Sequence, residues 1–106
     1  MLRTVHLLKK KKGMSAKAFK DYWLDVHAKM VRKVPYIRRY LIKIAVGSPS
    51  KSMAYDGVVE LDFDDEKDLQ KFYDSPEGRL IAKDTKNFTE SIDVLYVKEY
   101  PQTIEK

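Results

Sequence analysis

The order in which apolar periodicities follow one another along this chain restricts its fold more than any other feature of the sequence. Segments whose apolar residues alternate predict strands, and segments whose apolar residues recur at intervals of three and four predict helices. Here the segments follow the order strand, helix, strand, strand, helix, strand. Because β-α-β crossovers are right-handed, two such units predict a four-stranded antiparallel sheet with both helices on one of its faces.

The first half of the chain predicts a strand, a long helix and a second strand. Residues 2–8 form an apolar run without helical period, which indicates a strand buried on both faces, and a run of four lysines and Gly13 ends it. Ser15 is a favourable N-cap, and Pro35 stops the helix that follows. Alternation over residues 36–46 predicts the second strand. The predicted buried stripe of the helix is Phe19, Trp23, Val26, Met30 and Val34.

The second half repeats this order after a loop of glycine, serine and proline at residues 47–52. Residues 55–63 alternate and predict a third strand, and the acids at 64–66 suit the N-terminus of a helix. Pro76 suits the first position of a new helical piece, and residues 92–100 predict the last strand. The predicted buried side chains of the two helical pieces are Leu69, Phe72, Tyr73, Leu80, Ile81 and Phe88. The predicted class is therefore α+β, with a ferredoxin-like β-α-β-β-α-β fold.

Composition limits what the chain can carry. At 106 residues it predicts a single domain, 1–106, and the absence of cysteine excludes disulfides and thiolate metal sites. Two histidines alone do not make a usual zinc site, and no phosphate-binding glycine loop occurs, so we expect no metal and no nucleotide cofactor. Neither a signal peptide nor an apolar run of spanning length is visible, which predicts a cytoplasmic protein without a membrane partner.

The two halves of the chain differ sharply in charge. Residues 1–54 carry 14 Lys and Arg against two acids, a net charge of +12, whereas residues 55–106 carry seven against 14 acids, a net charge of −7. A basic half can bind nucleic acid, but two halves that lie side by side, or face each other in a dimer, neutralise each other. The sheet face away from the helices is too apolar for water at Val58 and its neighbours, which predicts that a second copy covers it.

Two histidines are the candidates for chemistry. His27 lies four residues after Trp23, at the edge of the apolar stripe, and Tyr22 points to a similar side. A partly desolvated histidine there can take and return a proton, although a helix histidine bonded to a carbonyl fits the spacing as well. His6 alternates with apolar neighbours in the first strand, so it lies either under the helices beside His27 or in the core at the dimer face. Tyr73 is a possible hydroxyl donor, and Asp93 and Glu99 of the last strand could orient a histidine.

Two groups of residues resemble a known family, the EthD family of dimeric α+β barrel proteins, over roughly residues 1–100. The first group is Lys12-Gly13-Met14-Ser15, Phe19, Tyr22-Trp23 and Val26-His27-Ala28, and the second runs from Ser75-Pro76-Glu77-Gly78 through Asp84 to Asn87-Phe88. The stretch from Tyr40 to Pro49 is also similar to muconolactone methylisomerases of the same superfamily.

The resemblance implies a homodimer whose two sheets form a barrel, with a mostly apolar pocket between sheet and helices in each subunit. It implies proton transfer by a pocket histidine, without metal or nucleotide, as in fungal polyketide dehydratases and decarboxylases, lactone isomerases and plant polyketide cyclases. His27 matches the family's helix histidine, and His6 matches a first-strand histidine of the plant cyclases. Two departures are Lys29, where the family often has proline, and Gly78, near a catalytic histidine of those cyclases.

The resulting hypothesis is a cofactor-independent lyase, isomerase or cyclase acting on a cyclic aromatic, polyketide-like or lactone substrate. His27 is the predicted general base and acid, and His6 or Tyr22 holds a substrate oxygen. The predicted substrate-binding residues are Phe19, Trp23, Phe72 and Tyr73. The alternatives are a cofactor-free monooxygenase and a non-catalytic ligand-binding homodimer. An RNA-binding domain has the same element order, but its aromatic third-strand motif is absent from the acidic segment 55–60.

Overall fold

The computed structural model of the chain describes residues 1–106 and has the predicted α+β, ferredoxin-like architecture. Its one sheet has the strand order β2-β3-β1-β4, and all neighbouring strands are antiparallel. The strands are β1 Leu2–Lys10, β2 Arg39–Ile44, β3 Gly57–Phe63 and β4 Thr89–Val97. The helices are α1 Ala16–Tyr22, a π-helical turn Trp23–His27, α2 Ala28–Val31, α3 Glu66–Asp74 and α4 Pro76–Thr85.

The π-helical turn joins α1 and α2 into one continuous helix and changes which residues face the core. The Ala28 amide donates to the Trp23 carbonyl, five residues back, so one extra residue is accommodated in this turn. The buried residues therefore recur at intervals of four. Val26 was predicted to be buried, and this is wrong: its side chain is 43% exposed, and His27 takes the inward position. The inward positions are Phe19, Trp23, His27 and Val31.

Side-chain caps define where the helices begin. The Ser15 hydroxyl accepts from the amide of Ala18 at 3.0 Å, as the sequence predicts for an N-cap. Ser75 closes α3 by donating to the Phe72 carbonyl and opens α4 by accepting from the Gly78 amide. Gly78 is required at this junction, because a Cβ there would overlap the Phe72 carbonyl.

The second half departs from prediction at two helix positions and at the last strand. Tyr73 is 39% exposed and Leu80 is 59% exposed, because the apolar faces of α3 and α4 are narrow. Leu69, Phe72, Ile81 and Phe88 are buried as predicted. Strand β4 begins at Thr89, three residues before the predicted start, because its pairing with β1 extends to Lys10 opposite Thr89.

The core lies between the sheet and the helices. Alternate residues of β3 face the helices, and the largest fully buried side chains include Phe19, Trp23, Phe63 and Phe88. At Gly57 the indole of Trp23 packs directly against the strand, and a Cβ there would overlap its ring. This contact sets how closely the first helix approaches the sheet, one turn before His27.

The opposite sheet face is not covered by any element. It carries half-buried Val5, Leu7 and Val58, with Leu95 53% exposed beside them. Ion pairs across this face join the basic first half of the chain to the acidic second half, so the two halves neutralise each other as predicted. They include Arg3–Asp62, Arg39–Glu60 and Lys43–Glu60. No helix has the length and apolar character needed to cross a membrane.

Candidate functional site

A cavity of about 220 Å³ lies between the sheet and the helices. Thirteen residues line it, none of them Asp, Glu, Lys or Arg, and apolar side chains make up most of its wall. Its polar groups come from both layers, since His6 and Tyr40 stand on the sheet and His27, Tyr73 and Thr85 on the helices. An apolar cavity with a few convergent polar groups is typical of a small-molecule site.

His27 is held by a carboxylate behind it. Its Nδ1 lies 2.8 Å from Asp84 Oδ2, and the His27 residue is only 6% exposed. A carboxylate only accepts hydrogen bonds, so the pair places the imidazole proton on Nδ1. Nε2 makes no hydrogen bond within the protein and keeps its lone pair at the cavity. This is the arrangement of a base with an orienting partner.

Asp84 is itself fixed by two further side chains. The Tyr22 hydroxyl donates to its Oδ1 at 2.6 Å, and the Asn87 amide donates to the same oxygen at 3.0 Å. Burial alone would raise the pKa of Asp84, but the hydrogen bonds from Tyr22, His27 and Asn87 outweigh it and hold the pKa below its usual range. Asp84 is therefore a carboxylate at neutral pH.

Two opposing effects act on the pKa of His27. Burial lowers it and is the larger effect, whereas the hydrogen bond and charge of Asp84 raise it. The imidazole is consequently neutral at pH 7, which is the form that can accept a proton. Its ring also packs against Phe88, with 4.9 Å between the ring centroids, which restricts its orientation.

His6 projects from β1 into the same cavity but has no charged partner. Its Nε2 lies 2.9 Å from the hydroxyl of Thr4, two residues away on the same sheet face. Burial lowers the pKa of His6 to about 4, and no carboxylate opposes this shift. His6 is therefore neutral over the physiological range and offers hydrogen bonding without charge.

The structure places the other predicted site residues at different depths. Phe72 and Tyr73 line the cavity, whereas Phe19 and Trp23 lie behind its wall in the core. Tyr22 does not line the cavity, because its hydroxyl is turned to Asp84. The acids of the last strand bind elsewhere: Asp93 accepts from Tyr55, and Glu99 pairs with Arg3. Gly78 lines the cavity, and its tight junction leaves no room for a side chain there.

Sequence reasoning missed the roles of Asp84 and Tyr40. Asp84 did carry a signal, because it stands in the last turn of α4, where the helix dipole disfavours a negative charge. An acid at such a position needs a compensating partner, and here these partners are Tyr22, His27 and Asn87. Tyr40 carried no comparable signal, since alternation in β2 indicates only that it points inward.

No group of three His, Asp or Glu side chains is arranged to hold a metal ion. Gly78 is the one glycine of the cavity wall, so no glycine-rich loop borders the site. The polar chemistry of the site is thus that of two imidazoles, hydroxyls and the carboxylate behind His27.

The family model of the EthD domain matches residues 11–92, which is most of the chain. The chain belongs to the EthD family. The resemblance seen in the sequence is thereby confirmed, and the matched segment includes both His27 and Asp84, while His6 precedes it. No curated protein matches the chain in sequence.

Several solved structures have the same fold as this chain. An ethyl tert-butyl ether D (EthD) family protein from Bacillus halodurans is 25% identical, with a TM-score of 0.79 over 94% of this chain and 100% of its own. A hydroxynitrile lyase from Passiflora edulis is 20% identical, with a TM-score of 0.74 over 94% and 96%. A dimeric ferredoxin-like protein from Thermobifida fusca is 16% identical, with a TM-score of 0.73 over 91% and 88%. The last two likenesses are evidence of the fold.

Proposed function

We propose that this EthD domain, spanning residues 1–106, is a cofactor-independent enzyme of the lyase, isomerase or cyclase type that transfers a proton on a small cyclic substrate. The observation that carries the proposal is the pair formed by His27 and Asp84 at the wall of an apolar cavity. His27 Nδ1 donates its proton to Asp84 Oδ2, with 2.8 Å between the two atoms, and Nε2 is free to act on a ligand.

In the proposed mechanism His27 Nε2 removes a proton from an acidic carbon of the substrate. The imidazolium that forms is stabilised by Asp84, which remains ionised, and His27 then returns the proton to another atom of the substrate. The side chains of His27 and Asp84 are only 7% and 12% exposed, so the charge of Asp84 acts on the imidazolium with less screening than at the surface. General acid–base catalysis of this kind contributes about 10²- to 10⁴-fold to the rate.

The proposed substrate is a cyclic aromatic, polyketide-like or lactone molecule. The cavity supports this class because its wall is mostly apolar and carries no ionic side chain. Its volume of about 220 Å³ exceeds the roughly 150 Å³ of an apolar cavity that holds benzene, so one ring with substituents fits. The Passiflora edulis relative is named as a lyase, which is consistent with the proposed reaction class.

An uncharged model substrate that reacts with any suitably placed base tests the proposal without knowledge of the natural substrate. 5-Nitrobenzisoxazole loses one carbon-bound proton to a base, its N–O bond breaks, and a coloured nitrophenol is released. We expect the wild-type protein to accelerate this elimination over buffer, and His27→Gln to remove about 10²-fold or more of that acceleration. The matched control is His6→Gln, which alters the other histidine of the cavity and leaves the pair with Asp84 in place.

The pH dependence of the same reaction separates catalysis from binding. The wild-type rate should rise with pH as the imidazole of His27 loses its proton and should then level off, and this step should be missing in His27→Gln. Equal rates for the wild type and His27→Gln would contradict the proposal. If the probe binds with unchanged affinity to both proteins and neither accelerates its elimination, the domain is a ligand-binding protein instead.

We further propose that two copies pair through the uncovered sheet faces to form a dimeric α+β barrel. Val5, Leu7 and Val58 are neighbours on this face, and Leu95 lies opposite Val5 across the β1–β4 pair. Contiguous apolar positions of this kind mark an association surface. The Thermobifida fusca protein of the same fold is described as dimeric.

Sedimentation equilibrium tests the pairing. The expected mass is twice 12.4 kDa for the wild type and 12.4 kDa for Leu7→Glu, because a buried unpaired carboxylate opposes association. Leu80→Glu is the matched control, since Leu80 is 59% exposed on the helical side and away from this face. A wild type that sediments as a single copy at all concentrations would refute the dimer.

A further inference from the structure

Tyr40 carries a buried hydroxyl that has no partner in the protein. It stands on β2 opposite Leu61 of β3, faces the helices and lines the cavity. Its hydroxyl oxygen is the one side-chain polar atom of the whole chain that has almost no accessible surface and makes no hydrogen bond. Buried polar groups are nearly always satisfied, so this exception, on a side chain that lines a cavity, points to a missing ligand.

The hydroxyl lacks an acceptor in particular. The Trp23 side chain is close enough to lower the pKa of Tyr40, although no hydrogen bond of ordinary geometry joins the two side chains. An indole offers only a donor, so Trp23 leaves the phenolic proton unbound. Burial raises the pKa of Tyr40 to about 12, which keeps this proton in place at neutral pH. A molecule that completes the site therefore presents an acceptor atom to Tyr40.

Sheet geometry places this donor on the far side of the cavity from His6. Strand β3 lies between β2 and β1, and both Tyr40 and Thr4 pair with Leu61, so Tyr40 and His6 lie about 10 Å apart across the sheet and two residues apart along it. His27 reaches the cavity from the helical layer above. A ring of ordinary size fits between these groups, with one edge at Tyr40 and the other at the imidazoles.

We propose that the Tyr40 hydroxyl donates a hydrogen bond to a carbonyl oxygen of the ligand, and that the cavity selects uncharged single-ring molecules bearing this group. This inference rests on the proposed function and defines its substrate class more narrowly. When His27 removes a proton from the carbon next to a carbonyl, negative charge develops on the carbonyl oxygen, and a fixed donor stabilises it. The absence of Asp, Glu, Lys and Arg from the cavity wall disfavours a charged ligand, which would lose its hydration without gaining a counter-ion.

Three probes of similar shape test the proposal by isothermal titration calorimetry. Acetophenone carries the carbonyl, α-methylstyrene replaces its oxygen by a methylene group, and benzoate carries a charge. We expect the wild type to prefer acetophenone to α-methylstyrene and to bind benzoate most weakly. Tyr40→Phe should weaken acetophenone binding about two- to tenfold and leave α-methylstyrene unchanged, because one neutral hydrogen bond is lost. The proposal is overturned if Tyr40→Phe weakens the binding of both neutral probes equally, or if benzoate binds best.

Tyr100→Phe is the matched control, since it removes the same hydroxyl from a tyrosine that is 76% exposed and lies outside the cavity. It should not change the preference for acetophenone. Thermal unfolding without ligand gives an independent check: Tyr40→Phe should melt at the same temperature as the wild type or higher, because it removes an unsatisfied buried hydroxyl. A clearly lower midpoint would mean that the hydroxyl is bonded within the protein, and the proposal would fail.

The binding experiment is independent of proton transfer. His27→Gln should lose the elimination activity and retain the preference for acetophenone over α-methylstyrene. Loss of the preference in Tyr40→Phe without loss of elimination activity in His27→Gln would therefore refute the catalytic proposal alone. The reverse pattern would refute the role of Tyr40 alone.

Discussion

The two histidines of the cavity share one space but are supported in different ways. His27 stands on a helix, is 6% exposed, and rests against Asp84, which Tyr22 and Asn87 hold in turn. His6 stands on a strand and contacts the hydroxyl of Thr4. Burial lowers the pKa of both imidazoles, but only His27 has a carboxylate that opposes the shift.

This difference separates two kinds of chemistry. A neutral imidazole backed by a carboxylate can accept a proton, because the charge that forms has a partner in place. A neutral imidazole backed by a hydroxyl resists protonation and serves for hydrogen bonding only. The cavity thus combines one group suited to proton transfer with another that remains uncharged, and each of the following changes alters one side of this contrast.

The largest expected effect concerns the resistance of His6 to protonation. Its pKa is about 4 in the folded protein and near 6.5 in the unfolded chain, so the unfolded chain binds more protons between these values. The contribution of neutral His6 to the free energy of unfolding is fully present above pH 6.5 and is lost as the pH falls towards 4. Between pH 7 and pH 4 the wild type should lose about 3 kcal/mol more of its free energy of unfolding than His6→Gln.

Urea unfolding at both pH values measures this difference. The acidic groups are the same in both proteins, so their contributions to the pH dependence cancel. Equal losses in the two proteins would show that His6 is protonated in the fold and that the contrast with His27 is unfounded.

The next effect concerns the carboxylate behind His27. Asp84→Asn keeps the shape of the side chain and removes its charge, so the pKa of His27 should fall further and the 5-nitrobenzisoxazole reaction should slow by about 10- to 100-fold. NMR titration of the imidazole in the variant and the wild type measures the pKa directly. Asp74→Asn, an exposed change on α3, is the control. An unchanged His27 pKa in Asp84→Asn would remove the physical basis for distinguishing the two histidines.

The smallest effect concerns the hydroxyl beside His6. Thr4→Val removes the partner of His6 Nε2 and should lower the free energy of unfolding by about 1 kcal/mol, while the elimination rate at His27 stays the same. Urea unfolding and the probe reaction measure the two quantities, and Thr103→Val in the exposed C-terminal segment is the control. A slower elimination in Thr4→Val would mean that the two histidines act as one unit.

The sequence predicts the fold and the position of His27, but it does not identify the residue that bonds to His27. Alternation and caps are local signals, so they give the order of the four strands and the helix starts at Ser15 and Pro76, although β4 begins three residues before its predicted start. The pairing of His27 with Asp84 joins residues 57 positions apart, and periodicity contains no information about such distances. Val26 was misplaced because an α-helical period was assumed through a π-helical turn, which leaves no mark in composition.

That π-helical turn means that residue count, as well as residue type, determines what the helix presents to the cavity. Each residue of an α-helix turns the chain by about 100°. Deleting one residue within 24–26 would restore a regular helix in which His27 follows Trp23 by three residues instead of four, a spacing that still faces the core but changes the angle and the rise between the two side chains. Substitutions alone cannot reproduce this change. Insertions and deletions in this turn can therefore shift the histidine relative to Asp84 while the core side chains before and after it stay in place.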